Sequence, residues 1–393
     1  MKKQVSKGTL FILFFSVFLG MMGLGIVIPL LPIMVQNYGE SGFWVGALFA
    51  AYGISRIILT PSIGSWSERF GRKWFITGGL ALYTLVSIFY LFQGSIYELF
   101  AIRFVHGIAS AMISTCAMAY VADLTPKGEE GLYQGKLSNY FYLGMGFGPI
   151  IGGVMNNVFG MDSVFILMAI MSLIPCILCI KLLPESRPEV IKPKSVIKAF
   201  LHPRMQSVLF FRFFNCFPYS AFMVYLPVIA IQQYGFSTSL SGVIVAIEVI
   251  SMAMTQGYFG KKADSLKKSH MIIFGTFILS FATLALPYLS HFIVIAIIAL
   301  LIGIGNAIAI SSATAVVAID GRELGQGVVM GAFNTIVSFG IVIPPLIFGV
   351  VSVVASLDAV FILAAVVSLI TLIPFWFLVQ RSKKLVGYLP ASK

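Results

Sequence analysis

Charge is what this sequence has least of. Charged side chains make up 10% of its 393 residues and 59% are hydrophobic, whereas a soluble domain carries about 25% charge. That shortage excludes an ordinary soluble domain and implies a chain that crosses a membrane many times. Acids are scarcer than bases, 14 against 26, yet the basic excess is not the footprint of a nucleic-acid partner. Of the 26 Lys and Arg, 23 fall in the two termini, in one alternating set of loops or, as Lys136 and Lys181, in the span ends next to those loops. Three more (Arg56, Arg103 and Arg212) lie within apolar runs, and the other set of loops has none. This positive-inside bias places both termini in the cytoplasm of a multi-pass protein of the inner, or plasma, membrane.

Other absences narrow the function. The four cysteines, Cys116, Cys176, Cys179 and Cys216, all sit in apolar runs. The C-x-x-C spacing of Cys176 and Cys179 inside a span reads as small packing residues, with no disulfide framework and no metal site. There is no nucleotide-binding glycine loop, no nucleophile with a base beside it and no soluble stretch to house an active site. An enzyme and an ATP-driven pump are therefore both disfavoured, and any transport would draw on an ion gradient without a cofactor. Nothing resembles a channel selectivity filter. The N-terminal lysines and apolar run look like a signal peptide, but the run is too long and has no small-residue cleavage site, so it reads as the first span.

What is present is a series of apolar runs, each near the ~20 residues a bilayer requires. Twelve can be placed, at 10–35, 43–63, 74–93, 97–121, 132–157 and 162–183, then at 206–231, 239–260, 270–289, 291–316, 325–351 and 357–380. The longest loop, 184–204, holds Pro184, Pro188, Pro193 and Pro203 among mixed charges and reads as a cytoplasmic linker between six-span halves 1–183 and 205–393. The halves are related. A gapless offset of 196 lays Met161–Leu167 on Leu357–Leu363, Pro149 on Pro345, Gly153 on Gly349, Gly64 on Gly260 and Glu68 on Asp264. This is the parallel repeat of one large class of secondary transporters, whose substrate site lies near the midplane.

Within the fifth run, Gly144, Gly148 and Gly152 recur every four residues and form one smooth helix face against which a neighbour can pack closely. Pro149 removes one backbone bond and bends the helix, which a bundle tolerates; Gly153 completes the stretch. Generic membrane packing would explain the same residues.

These motifs together resemble the major facilitator superfamily, and within it the twelve-span drug:proton antiporters. Gly64 to Lys73 is similar to the family's G-x-x-x-D-R-x-G-R-K loop, with Glu68 in place of Asp. Leu99, Arg103, His106 and Gly107 look like L-x-x-x-R-x-x-Q-G, with His106 in place of Gln. Gly144 to Gly153 resembles the exporters' fifth-span pattern, and Gly20 to Pro32 the antiporters' first-span signature. The resemblance implies an all-α major facilitator fold of two pseudo-symmetric six-helix halves. It further implies a monomer in the lipid bilayer that moves a small molecule by alternating access. It also implies that Glu68 acts as a latch near the start of span eleven, here Gly325 to Gly327. Gly64, Arg69, Gly71, Arg72 and Lys73 share that loop, with Asp123 the best ion-pair partner for its cations. The alternative is that these cations only hold the loop inside the cell. Gly128 to Gly131 stands where the family usually has an Arg after Asp123-Leu-Thr-Pro126, so the latch is expected to be wired differently.

Charge inside a membrane is costly unless paired or wet, so the intramembrane ionisable groups are the informative ones. Glu248 is the one acid deep within a span, and Ser241, Ser251 and Thr255 share its helix face. A carboxylate out of bulk water favours its protonated form and a nearby Arg favours the ionised one. Glu248 is therefore the first candidate proton carrier, with a static hydrogen-bonded Glu as the alternative. Arg103, His106, Gly107, Ser110 and Ser114 share one face of span four. The resemblance ties Arg103 to proton coupling, and His106 is either a second proton site or a stand-in for Gln. Arg56 shares a face with Tyr52 and Thr60; it either faces a cavity, favouring an anionic substrate, or snorkels toward the cytoplasm, as does Arg212. Tyr52, Arg56, Ser110, Asn139, Ser251, Asn306 and Asn334 are the candidate cavity residues, although helix packing serves any one of the asparagines equally. The leading expectation is proton-coupled export of drug-like or amphipathic compounds. Export of an endogenous anionic, siderophore-like metabolite or a lipid, metabolite uptake, and a non-transporting sensor or scaffold of the same fold are the alternatives.

Overall fold

The computed structural model describes residues 7–124, 130–186, 197–324 and 326–386. Every regular element among them is helical, since in hydrocarbon only a helix or a closed barrel satisfies its own backbone. Helix α1 runs as Lys7–Val27, a 3-10 turn Ile28–Leu30 and Leu31–Asn37. It is followed by α2 (Gly42–Phe70), α3 (Arg72–Phe89), α4 (Ile96–Leu124), α5 (Glu130–Phe159) and α6 (Met161–Leu182). A short helix, Ile197–Leu201, precedes α7, which comprises Pro203–Ser220, a π-helical turn Ala221–Tyr225 and Leu226–Gln232. Then come α8 (Thr238–Ser265), α9 (Lys268–Ala285), α10 (Phe292–Leu324), α11 (Gln326–Val354) and α12 (Leu357–Ile370 and Leu372–Val386). Ten of these twelve helical units are long and apolar enough to cross a membrane. The other two, α3 and α5, have 18 and 30 residues and fall short in mean hydropathy for a local reason. Helix α3 spends its first turn on Arg72 and Lys73, and α5 carries Asn139, Asn156, Asn157 and its glycines.

The chain divides into two compact units, Met1–Ile191 with Leu226–Ile250, and Lys192–Tyr225 with Ser251–Lys393. In the first, α1 packs on α5 and α6, α2 on α4, and α3 on α4 and α6. In the second, α9 packs on α10 and α12, and α7 on α11. Lipid tails are as apolar as Leu, so close van der Waals contact rather than burial from water holds such helices together. The glycines show how. A Cβ added at Gly144, Gly148 or Gly152 would collide with the carbonyl oxygens of Phe18, Met22 and Ile26 respectively, so the four-residue stripe of α5 is the seat of α1. A second face of α5 meets α8: a Cβ at Gly153 would lie 2.6 Å from the Thr238 carbonyl, one at Gly146 would lie 2.9 Å from Ile250, and Gly242 abuts the Pro149 carbonyl. Ser239 Oγ donates to Gly153 O at 3.0 Å and Asn156 Nδ2 to Thr238 Oγ1 at 3.2 Å, pinning that contact. Helix α5 continues through Pro149. In the second unit Gly275 of α9 and Gly305 of α10 make the same kind of approach.

Glycine is also required at Gly71 (φ 104°) and Gly160 (φ 80°), where the chain turns between α2 and α3 and between α5 and α6 through a backbone region that side chains disfavour. The four cysteines are buried free thiols; Cys179 lies 3.2 Å from Ser16 Oγ and Cys176 donates to Thr77 O at 3.5 Å.

The packing makes a direct prediction. Gly148→Val is expected to lower the unfolding stability of the detergent-purified protein by about 1–3 kcal/mol or more through overpacking against α1. Gly257→Ala, at a position with nothing within 4 Å, is expected to leave the melting midpoint unchanged. Equal midpoints for the two variants would refute the α1–α5 seat.

Candidate functional site

The polar interior of the first unit is built from α2, α3 and α4. Gly107 lets α2 approach α4 so closely that a Cβ there would strike the Tyr52 carbonyl and Ser55 Oγ. That contact sets Tyr52 beside the face of α4 that carries Arg103, His106, Ser110 and Ser114. Arg103 and His106 are fully buried. Arg103 Nε donates to Leu48 O at 3.3 Å, and its guanidinium carbon lies 5.1 Å from the Tyr52 ring centroid and 5.5 Å from that of Phe49. Arg103 Nη1 lies 3.4 Å and Tyr90 Oη 3.3 Å from His106 Nδ1. Arginine offers donors only, so Nδ1 accepts and the imidazole proton belongs on Nε2, which with Arg103 Nη2 is buried without a hydrogen-bond partner. The rings of Tyr52, Tyr83 and Tyr90 stand edge-on to His106 at 5.6, 4.7 and 6.1 Å. The Tyr83 phenol reaches to Gly23 of α1, where a Cβ would overlap it.

Tyr52 joins this cluster to a second guanidinium. Its hydroxyl lies 2.6 Å from Ser110 Oγ. Arg56 Nη1 donates to Ser110 Oγ at 2.7 Å and to Tyr52 Oη at 3.3 Å, and Nη2 to Ser114 Oγ at 3.3 Å. Arg56 is half-buried. Among the described residues the ion pairs are Arg72–Glu68, Arg72–Asp123, His202–Asp320 and Arg204–Asp320; Arg56, Arg103 and Arg212 belong to none. Arg212, in the second unit, donates to Asn215 Oδ1 at 2.6 Å and sits over the Phe333 ring at 5.7 Å.

The remaining candidates lie apart from this network. Glu248 is fully buried in the stretch of α8 that belongs to the first unit, as is Ser241. Ser251 and Asn306 belong to the second unit, where Ser251 Oγ donates to Leu300 O at 3.4 Å and Asn306 Nδ2 to Met252 Sδ at 3.3 Å. Asn139 and Asn334 are exposed on α5 and α11. Among the described residues no three His, Cys, Asp or Glu side chains gather as a metal site.

At the end of the first unit, the loop Gly64 to Lys73 is split between two helices. Arg72 is buried and its Nε reaches Asp123 Oδ2 at 3.0 Å, while Nη1 donates to Ser67 Oγ at 2.9 Å. Glu68 is exposed in the last turn of α2 and 3.9 Å from Arg72; Arg69 is exposed, and Gly64 has open space beside it. Helix α2 continues to Phe70, and a carboxylate at the start of α3 comes from Glu185, whose Oε1 accepts from the backbone N–H of Lys73 at 3.1 Å. A side chain at Gly71 would fall on that carboxyl group. Lys73 Nζ donates to Ile180 O at 2.8 Å, and Ser186 Oγ to Asp123 Oδ2 at 3.0 Å. Thr125 to Glu129 and Gly325, and with them the first residue of the Gly325 to Gly327 stretch and most of the departure after Pro126, lie outside the described residues.

Sequence reasoning overlooked Tyr83, Tyr90 and Glu185. The seven-residue spacing of the two tyrosines, which puts them on one face of α3, was the available signal. For Glu185 there was none.

Membrane-length helices packed through glycine faces, with guanidiniums buried in the span interiors, define a polytopic membrane transporter. The chain belongs to the Major Facilitator Superfamily, whose model matches residues 13–345. It is 26% identical over 380 residues to an MFS-type transporter of Methanocaldococcus jannaschii, covering 94% of this chain and 98% of that one. It is 28% identical over 286 residues to multidrug resistance protein 2 of Bacillus subtilis, covering 69% and 71%. A solved bacterial homolog of the human lysosomal transporter Spinster shares its fold at a TM-score of 0.85 and 14% identity, over 98% of this chain and 100% of that one. The family's members are transporters and not enzymes, and a small-molecule substrate follows from membership.

The Arg72 pairing predicts a stability hierarchy. Asp123→Ala strands a buried guanidinium and is expected to cost about 3 kcal/mol of unfolding stability. Glu68→Ala removes an exposed partner and is expected to cost less than about 1 kcal/mol. Denaturation midpoints of the two variants in one detergent check this, and the reverse order would refute it.

Proposed function

We propose that this transporter exports drug-like or amphipathic organic compounds in exchange for protons by alternating access. The observation that carries the reading is the fully buried Glu248, the one acid deep within a span. A carboxylate kept from water is held ready to take a proton, and returns it when its surroundings turn polar or cationic. Arg103 and His106 assist: Arg103 is a fixed charge, and His106 accepts a hydrogen bond from it through Nδ1. The multidrug resistance protein of B. subtilis among the relatives supports the choice of substrate. In this reading both termini are cytoplasmic and the protein is a monomer. The six-helix halves, residues 1–183 and 205–393, are the working parts, joined by the linker 184–204. Arg72, Asp123 and the Gly64 to Lys73 loop form the latch. Tyr52, Arg56, Ser110, Asn139, Ser251, Asn306 and Asn334 contribute to substrate contact.

A second reading, export of an anionic metabolite, is favoured by one specific observation. The spans hold three arginines, Arg56, Arg103 and Arg212, against one deep carboxylate in number, and among the described residues the half-buried Arg56 is in no ion pair and donates to the neutral hydroxyls of Tyr52, Ser110 and Ser114.

The test is accumulation of a fluorescent lipophilic cation in an efflux-deficient bacterial host, with and without a protonophore. Cells making the wild-type protein are expected to accumulate several-fold less than the empty host, with the difference abolished by protonophore and by Glu248→Gln. His106→Gln is expected to keep export and shift its pH profile. Undiminished, pH-dependent export by Glu248→Gln would remove that residue from coupling. No difference from the empty host, with the protein present in the membrane, would leave the anionic reading. That reading expects export of an organic-acid dye that is lost in Arg56→Gln.

A further inference from the structure

The 196-residue offset that relates the halves also relates their helix ends, and there the two units differ in a telling way. In the first unit the start of α3 is filled from within. Glu185 covers Gly71 and accepts from the Lys73 and Ser186 backbone amides at 3.1 and 3.0 Å. Tyr120 Oη donates to Pro184 O at 2.6 Å. The offset carries Gly71, Arg72, Tyr120, Glu185 and Ser186 to Lys267, Lys268, Val316, Arg381 and Ser382. The carboxylate becomes a guanidinium and the phenol an isopropyl group.

At the corresponding place the second unit has a cavity of about 30 Å³, whose lining includes Arg204, Ser207, Lys268, Ser269, Val316 and Ser382. Its polar wall is two cations and three hydroxyls. Lys268 starts α9, whose N-cap Lys267 makes no side-chain cap, and the start of a helix carries partial positive charge. Asp320 takes one face of Arg204, Nη1 to Oδ1 at 3.1 Å, and Arg204 Nε is sheltered without an acceptor. Lys267, Lys268 and Arg381 lie in no ion pair among the described residues. The volume admits a group of a few heavy atoms and excludes a whole substrate molecule.

We infer that this cavity binds a phosphate group, from an anionic lipid head group or from a free phosphate, in the place where the first unit supplies its own Glu185 carboxylate. Two cations beside the positive start of a helix form a set that recognises a tetrahedral oxyanion, while the hydroxyls of Ser207 and Ser382 donate to Arg204 O and Val379 O of their own helices. The positive-inside bias puts this end at the cytoplasmic surface, where basic pockets between helices meet anionic head groups. The inference is independent of the transported substrate.

Thermal unfolding of the full-length protein in a neutral detergent tests it. Phosphatidylglycerol is expected to raise the melting temperature by several degrees, and diacylglycerol, which lacks the phosphate, is not. A matching rise with inorganic phosphate over chloride at equal ionic strength would identify a free anion as sufficient. A rise with the lipid alone would identify the head group. Lys268→Gln should at least halve the rise. Arg381→Glu, which restores the carboxylate of the first unit at an exposed position, should abolish it while the anion-free melting temperature stays at or above that of the wild type. No anion-dependent rise in the wild type, or an equal rise in both variants, would overturn the proposal.

Discussion

A guanidinium has five N–H donors and cannot be deprotonated in a protein, so burying Arg103 with no ion pair among the described residues sets the terms for α2, α3 and α4. The charge has to be met by dipoles and ring faces. Leu48 gives a backbone carbonyl, Tyr52 and Phe49 present their rings, and His106 turns a lone pair toward it. Each of these partners is held in turn. Gly107 admits Tyr52, Tyr90 bonds His106, and Gly23 makes room for Tyr83. An acid placed at the same site would have neutralised the charge. Hydroxyls and aromatic faces leave it largely intact, which is what a charge used in coupling or in anion recognition requires.

That arrangement rests on helices that come closer than side chains allow. In α5 the two glycine faces serve different neighbours, Gly144, Gly148 and Gly152 for α1 and Gly146 and Gly153 for α8. Where the hydrophobic effect no longer separates inside from outside, backbone contact of this kind is the cohesive force. Smooth faces are also compatible with sliding, because no ridge has to be lifted out of a groove.

The two units differ at the helix ends that the 196-residue offset relates. Arg72–Asp123 in the first unit and Arg204–Asp320 in the second are both guanidinium–carboxylate pairs at the ends of α4 and α10. Yet the first arginine comes from α3 and the second from α7. Each pair joins two helices near their ends, so the same contact was made with different helices. Where the first unit has Tyr120 and Glu185, the second has Val316 and Arg381, so a carboxylate at one helix start corresponds to a guanidinium at the other.

Much of this was legible without coordinates. Scarcity of charge, the one-sided placement of Lys and Arg, the spacing of the apolar runs and the offset of 196 determined by themselves a polytopic, duplicated, helical membrane protein. These are one-dimensional signals of a solvent that forbids unpaired backbone and charge. The four-residue glycine period likewise identified a packing face, and the co-facial Arg103, His106 and Ser110 a polar one. What periodicity cannot say is which helix a face meets, because that depends on contacts between residues far apart in the chain. So only the tertiary structure decided that α1 sits on the glycine stripe and that Arg56 and Arg103 share Tyr52. It alone showed that Tyr83 and Tyr90 reach His106 and that Glu185 lies at the start of α3, since a carboxylate finds its helix end through space and not through sequence.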